Sequence, residues 1–264
     1  MRNIGRYLIS LIDNPITKGL AFSLWTIPLY YYLNSYVFNV TLSSDDYNNI
    51  RQFIEWLGIP YGMLMALMLI NVWTQFDTVG RAFDREADSI LAFYNSIILV
   101  PNPKIKRALK TNIYHYIEHV KANFSTEFAD VRLKREGNKI LNEILELIVA
   151  STKAKSGGSL SLELLRLHND WVTDRGERLS FSSQRMPTPV MMLYFIASFL
   201  WLAPFFILKF SSPFIGMFFI GGVTLLIISI GLIMNDLDKP FEGAWEVNLD
   251  AWDELLVKKI DDLQ

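Results

Sequence analysis

Not one cysteine occurs among the 264 residues. Disulfides, thiolate metal sites and cysteine nucleophiles are therefore excluded. Charge is missing in a more local way. The blocks Pro189–Phe210 and Pro213–Met234 hold one formal charge between them, Lys209. At the helical rise each block reaches roughly 30 Å, the thickness of a bilayer's hydrocarbon core. Apolar surface on that scale aggregates in water and is stable in lipid. No span carries a central carboxylate, histidine or arginine of the kind proton-coupled transporters use, which argues against a pump or secondary transporter. A phosphate loop, a nucleophile elbow and a basic-aromatic surface are also absent. No catalytic residue, cofactor, metal or nucleic-acid partner is expected, and the chain is not read as an enzyme.

What is present is arranged in blocks. A total of 51% hydrophobic residues would suit a soluble core equally well, so the distribution decides. Residues 1–15 read as a short interfacial helix, with Tyr7, Leu8, Leu11 and Ile12 on one face and Arg2 and Arg6 ahead of that apolar stretch. No small-residue cleavage site follows, so this is not read as a removable signal peptide. Residues 16–76 hold two spans, a weaker one over Ile16–Phe38 and a stronger one between Trp56 and Trp73. Ser43 and Asp46 have capping-box spacing and start a long helix that crosses as the second span. It continues past Phe76, where Asp77, Arg81, Asp84, Arg85, Glu86 and Asp88 alternate with a stripe of Val79, Phe83, Ile90, Leu91 and Tyr94.

Pro101-Asn-Pro103 breaks that helix, with Asn102 as N-cap and Pro103 at N1 of the next. A further helix over Arg132–Ala154 has the periodic stripe Ile140, Leu141, Ile144, Leu145 and Ile148. Ser156-Gly-Gly-Ser159 is a linker, and Leu160–Phe181 is the last helix of a polar domain spanning residues 77–187. Spans three and four occupy 188–235, and an acidic tail, read as a solvated helix, fills 236–264. The fold class is thus all-α, a membrane protein of four transmembrane helices with a helical domain inserted between the second and third. Lys and Arg near the spans (Arg2, Arg6, Lys18, Arg81, Arg85, Arg178, Arg185) put that domain and both termini in the cytoplasm of a multi-pass cell-membrane protein.

Three clusters are candidate sites. Ile59, Met63 and Leu67 stand one turn apart on one face of the second span; they either line something or pack against another helix. Asn71, a turn further on, is polar within a span and suits either a polar ring or a hydrogen bond to a neighbouring helix; Asn34 is the other such residue. Asp236, Asp238 and Glu242 follow the fourth span as candidate cation ligands. His115 and His119 have the spacing of a two-histidine metal pair, but without a His-Glu-x-x-His pattern they read as a solvated helix face.

The second span, Gly58-Ile-Pro-Tyr-Gly-Met63 through Asn71-Val-Trp73, resembles that of the bestrophin ion channels. Asn235-Asp-Leu-Asp-Lys-Pro-Phe-Glu-Gly243 resembles the acidic Pro-Phe segment those channels carry after their fourth span. The pairing of Asn71-Val-Trp73, Glu86-Ala87 and Tyr94 with the late Asp238-Lys-Pro-Phe-Glu-Gly243 is similar to the bestrophin-like family of membrane proteins. The likeness covers about residues 50–250. It implies an oligomeric ion channel, a pentamer, with Ile59, Met63 and Leu67 at a hydrophobic neck and Asn71 near its inner mouth. Lipid, small inorganic ions and further copies of the chain are the implied partners. The sequence departs from bestrophins in the size of the neck residues and lacks the long acidic run of the calcium-gated members. A non-conducting membrane scaffold or signalling protein is the alternative.

Overall fold

The computed structural model describes residues 14–37, 43–152, 158–210 and 212–255. The expected interfacial helix, the linker residues before Gly158 and the tail beyond 255 lie largely outside them. The described elements are all helical: α1 Pro15–Tyr32 with a π-helical turn Leu33–Val37, α2 Ser44–Ile97, α3 Pro103–Asn123, α4 Val131–Thr152, α5 Gly158–Ser183, α6 Thr188–Ile207 and α7 Pro213–Leu237.

Local chemistry starts these helices where the sequence indicates. Asn14 accepts from the Ile16 N–H at 2.9 Å and Pro15 occupies N1 of α1. The Asp46 N–H donates to Ser43 Oγ at 3.1 Å while the Ser43 hydroxyl reaches the Asp46 carboxylate at 2.7 Å, closing a capping box at the head of α2. Asn102 caps α3 through the Lys104 N–H at 3.0 Å. Pro60 sits inside α2 without ending it, and α2 runs unbroken for 54 residues.

The chain divides into two compact units, Met1–Phe76 with Arg185–Glu246, and Asp77–Gln184 with Val247–Gln264. In the first, α2 turns Tyr61, Met65, Met68 and Val72 toward Tyr194 of α6 and Ile227 and Met234 of α7. Tyr61 and Ser198 share a hydroxyl hydrogen bond at 2.9 Å, so the buried phenol is satisfied. Asn34 donates to the Leu208 carbonyl at 3.2 Å and Tyr30 to the same oxygen at 3.3 Å. That carbonyl ends α6 and has no partner within its own helix, so Asn34 acts as a cap.

Three helical stretches are long and apolar enough to cross a membrane by length and composition: Ser44–Ile97, Ser159–Ile207 and Pro213–Leu237. In the second of them α5 carries Glu163, Arg166, Asp170, Asp174, Arg175, Glu177 and Arg178, so its apolar length lies in α6. Among the described residues α1 does not reach the same apolar length, because Lys18, its hydroxyl residues and Tyr30–Tyr32 dilute it. Of the four spans expected from the sequence, the first, Ile16–Phe38, is therefore the one its apolar content does not carry.

The second unit is a polar-surfaced helical core. Phe83, Ile90, Phe93 and Ile97 of α2 and Leu109, Ile113 and Ile117 of α3 are all 1% exposed or less. Full burial of each such side chain contributes about 1.5–3 kcal/mol. The chain after residue 246 docks here. Trp252 is fully buried, donates its indole N–H to the Phe83 carbonyl at 3.2 Å, and packs edge-on against the Phe83 ring. Through residue 255, then, the acidic segment is anchored rather than a solvated helix; an aromatic this large outweighs its acidic neighbours.

Candidate functional site

The span half of α2 has two unlike faces. Tyr61, Met65, Met68 and Val72 are buried in the unit's core, whereas Ile59, Met63 and Leu67 are 71%, 63% and 64% exposed. The helical period explains the split: positions four apart drift slowly round the axis and stay on one side. Among the described residues the three do not pack against another helix. Trp56, Ile70 and Trp73 are exposed as well. Asn71, one turn beyond Leu67, is also exposed. Beside this stripe, Gly58, Gly62 and Ala66 line an open apolar cleft of about 410 Å³ with Tyr61, Trp201 and Ile230.

The carboxylates after α7 have local partners. Asp236 accepts from the Ala244 N–H at 3.1 Å and the Trp245 N–H at 3.2 Å. Gly243 supplies the positive φ of 112° that turns the chain back to it; any Cβ there would also collide with the Asp236 carboxylate. Asp238 accepts from the Met186 N–H at 2.6 Å. Glu242 is exposed, in the turn between Asp238 and Ala244. Among the described residues no three His, Asp or Glu side chains converge as a metal-binding group.

The second unit holds a cluster that sequence reading does not pick out. Glu86 of α2, Glu127 from the turn after α3, and Arg175 and Arg178 of α5 are all buried, the two carboxylates completely. Arg178 donates to Glu86 and, through Nη2, to Glu127 at 2.8 Å. Arg175 donates to the other oxygen of Glu127 at 2.7 Å, to Asn138, and to the Lys134 carbonyl at 3.1 Å. Tyr116 of α3 donates its hydroxyl to Glu86. Two cations therefore face two anions, and each of the four carboxylate oxygens accepts a hydrogen bond, the condition under which buried ions are tolerated. Gly137 makes room for it: a Cβ there would lie 2.4 Å from Arg175 Nη2 and 3.0 Å from Glu127 Oε1.

Burial works to raise the Glu127 carboxyl, but the charges and hydrogen bonds of Arg178 and Arg175 outweigh it and hold the group below the ordinary glutamate value. Burial, and then the Glu86 charge, push the Tyr116 hydroxyl far above the usual tyrosine range, so it stays a donor. Charge alternation alone groups Glu86 with the polar residues beside the stripe, yet the side chain is fully buried. Its position is the available signal, because Val79, Phe83, Glu86 and Ile90 follow one helical stripe. His119 is likewise not on a solvated face: its Nε2 lies 3.1 Å from the Leu133 carbonyl and 3.7 Å from Glu127, while His115 is exposed.

The fold is similar to that of a bacterial bestrophin homologue from Klebsiella pneumoniae, with a TM-score of 0.69 at 13% identity over 94% of this chain and 96% of that one. A variant of that homologue with one substitution matches with a TM-score of 0.66 at 12% identity, over 92% and 97%. At such identities the likeness is one of fold. No curated protein matches the sequence. The family model described as Bestrophin-like domain matches residues 22–252, most of the molecule's length. This all-helical membrane protein belongs to the Bestrophin-like family.

Proposed function

We propose that the protein is an oligomeric ion channel of the bestrophin type, conducting small ions passively through an apolar neck lined by α2. The observation that supports this reading is the exposure of Ile59, Met63 and Leu67, one turn apart on a helix whose other face is buried. Large apolar side chains left uncovered in a membrane helix face lipid, a second copy or a dewetted constriction. The helices of one chain are too few to enclose a pore and also pack a bundle. A ring of copies, the pentamer of the family resemblance, brings the α2 faces together around an axis. Asn71 then contributes a polar ring next to the neck. Four spans, with both termini and residues 77–187 on the cytoplasmic side, complete the arrangement.

The test is the triple substitution Ile59→Ala, Met63→Ala and Leu67→Ala in reconstituted vesicles. As neck residues, their loss widens the path and raises ion flux while the oligomer persists. As packing residues, each costs roughly 2–5 kcal/mol and the oligomer is lost without a gain in flux. Unchanged flux from an intact oligomer removes them from the neck and favours a non-conducting scaffold or signalling protein.

A further inference from the structure

His168 of α5 is 3% exposed. Its Nε2 lies 3.0 Å from the Leu141 carbonyl of α4, and a carbonyl only accepts, so Nε2 carries the proton. Nδ1 is buried and has no hydrogen-bond partner among the described residues. The neutral ring suits this place: it makes one bond across the α4–α5 pair and leaves only a weak acceptor unfilled. The protonated ring does not, because it adds a second N–H with no acceptor and a full charge with no counter-ion.

The groups around the ring are neutral on each packed element. Phe93 comes from α2 at 6.4 Å between ring centres, and Trp171 stands one turn along α5 at 6.3 Å. From α3, the Tyr116 ring lies beyond Trp171, 4.9 Å from it, with its hydroxyl on Glu86. From α4 the contact is the Leu141 carbonyl. Arg175, two turns further along α5, is engaged by Glu127 and Asn138. Among the described residues no carboxylate acts on the ring. Burial disfavours its charge and the Leu141 bond only partly opposes this.

We infer that His168 is an acid-sensitive latch: its neutral ring holds α5 against α4, and its protonation releases that pairing. The latch stands whether or not the assembly conducts. With the folded value lowered, the opened form takes up the proton first. The contribution is complete above the unfolded histidine value of 6.5 and is lost as pH falls from there through the lower folded value.

Hydrogen–deuterium exchange of the full-length protein in detergent, at pH 7.5, 6.5 and 5.5 and corrected for intrinsic rates, reads this directly. Protection over residues 138–148 and 161–172 falls by up to about tenfold per pH unit below about 6.5. In His168→Gln an amide N–H still meets the Leu141 carbonyl but does not titrate, so the fall disappears. His119→Gln serves as control and keeps the wild-type profile, since a charge at His119 already has Glu127 and Glu136 within 4 Å. An equal fall in His168→Gln overturns the latch. So does a flat wild-type profile, or a wild-type fall spread evenly over the chain, and neither depends on a variant that folds.

Discussion

Replacing Arg178 by methionine isolates the buried ionic cluster. The guanidinium is 1% exposed and donates to two carboxylates that are themselves fully buried. Methionine fills similar volume but leaves Glu86 with only the Tyr116 hydroxyl and Glu127 with only Arg175. Solvent screening does not soften the loss at this depth. Breaking a buried pair from one side costs roughly 3–5 kcal/mol, mostly from the stranded charge. Arg178→Lys keeps the charge but cannot present Nε and Nη2 to two acceptors at once, so it recovers only part of the stability. The assay is urea unfolding of the solubilised protein, followed by exchange protection in α3 and α5. Wild type carries a second signature. Glu127 has a depressed folded value, so its contribution is complete above the unfolded value of 4.5 and is lost as pH falls through the lower folded one. That acid step begins at 4.5, below the 6.5 at which the His168 contribution starts to fall. A loss under about 1 kcal/mol for Arg178→Met at pH 7 would refute the reasoning, since exposed pairs alone are worth that little.

Further outcomes follow from other positions. A cysteine introduced by Ser159→Cys has no native competitor and is labelled only from the cytoplasmic side if residues 77–187 are inside; labelling from outside reverses the topology. Gly137→Ala forces its new methyl against Arg175 Nη2, which two acceptors pin in place, and costs roughly 1–3 kcal/mol in thermal unfolding. Trp252→Ala empties a fully buried site and costs roughly 3–5 kcal/mol, read as lost protection around Phe83; an unchanged profile would show the segment after residue 246 to be undocked.

The residue order alone determined what local backbone chemistry controls. The Ser43–Asp46 box, the Asn102-Pro103 start of α3 and the stop after Ile97 need only neighbours within a turn, and each is where the spacing puts it. The apolar lengths of α6 and α7 are equally legible, because helical rise turns residue count into distance. The family was legible as well: the resemblance carried by Asn71-Val-Trp73 and Asp238-Lys-Pro-Phe-Glu-Gly243 agrees with the domain matched over residues 22–252.

Tertiary structure decided the rest. Glu86 and Arg178 are 92 residues apart, and Glu127 and Arg178 are 51, so no spacing rule joins them. Each charge alone looks like one more solvated position, and only the packing of α2, α3 and α5 removes the water that makes the pairing strong. Trp252 shows the same limit from the other side, as an acidic stretch docked by one aromatic whose pocket is built by a distant helix. The exposed stripe of Ile59, Met63 and Leu67 goes one step further. Periodicity puts the three on one face, and only the folded chain shows that the described residues leave that face open.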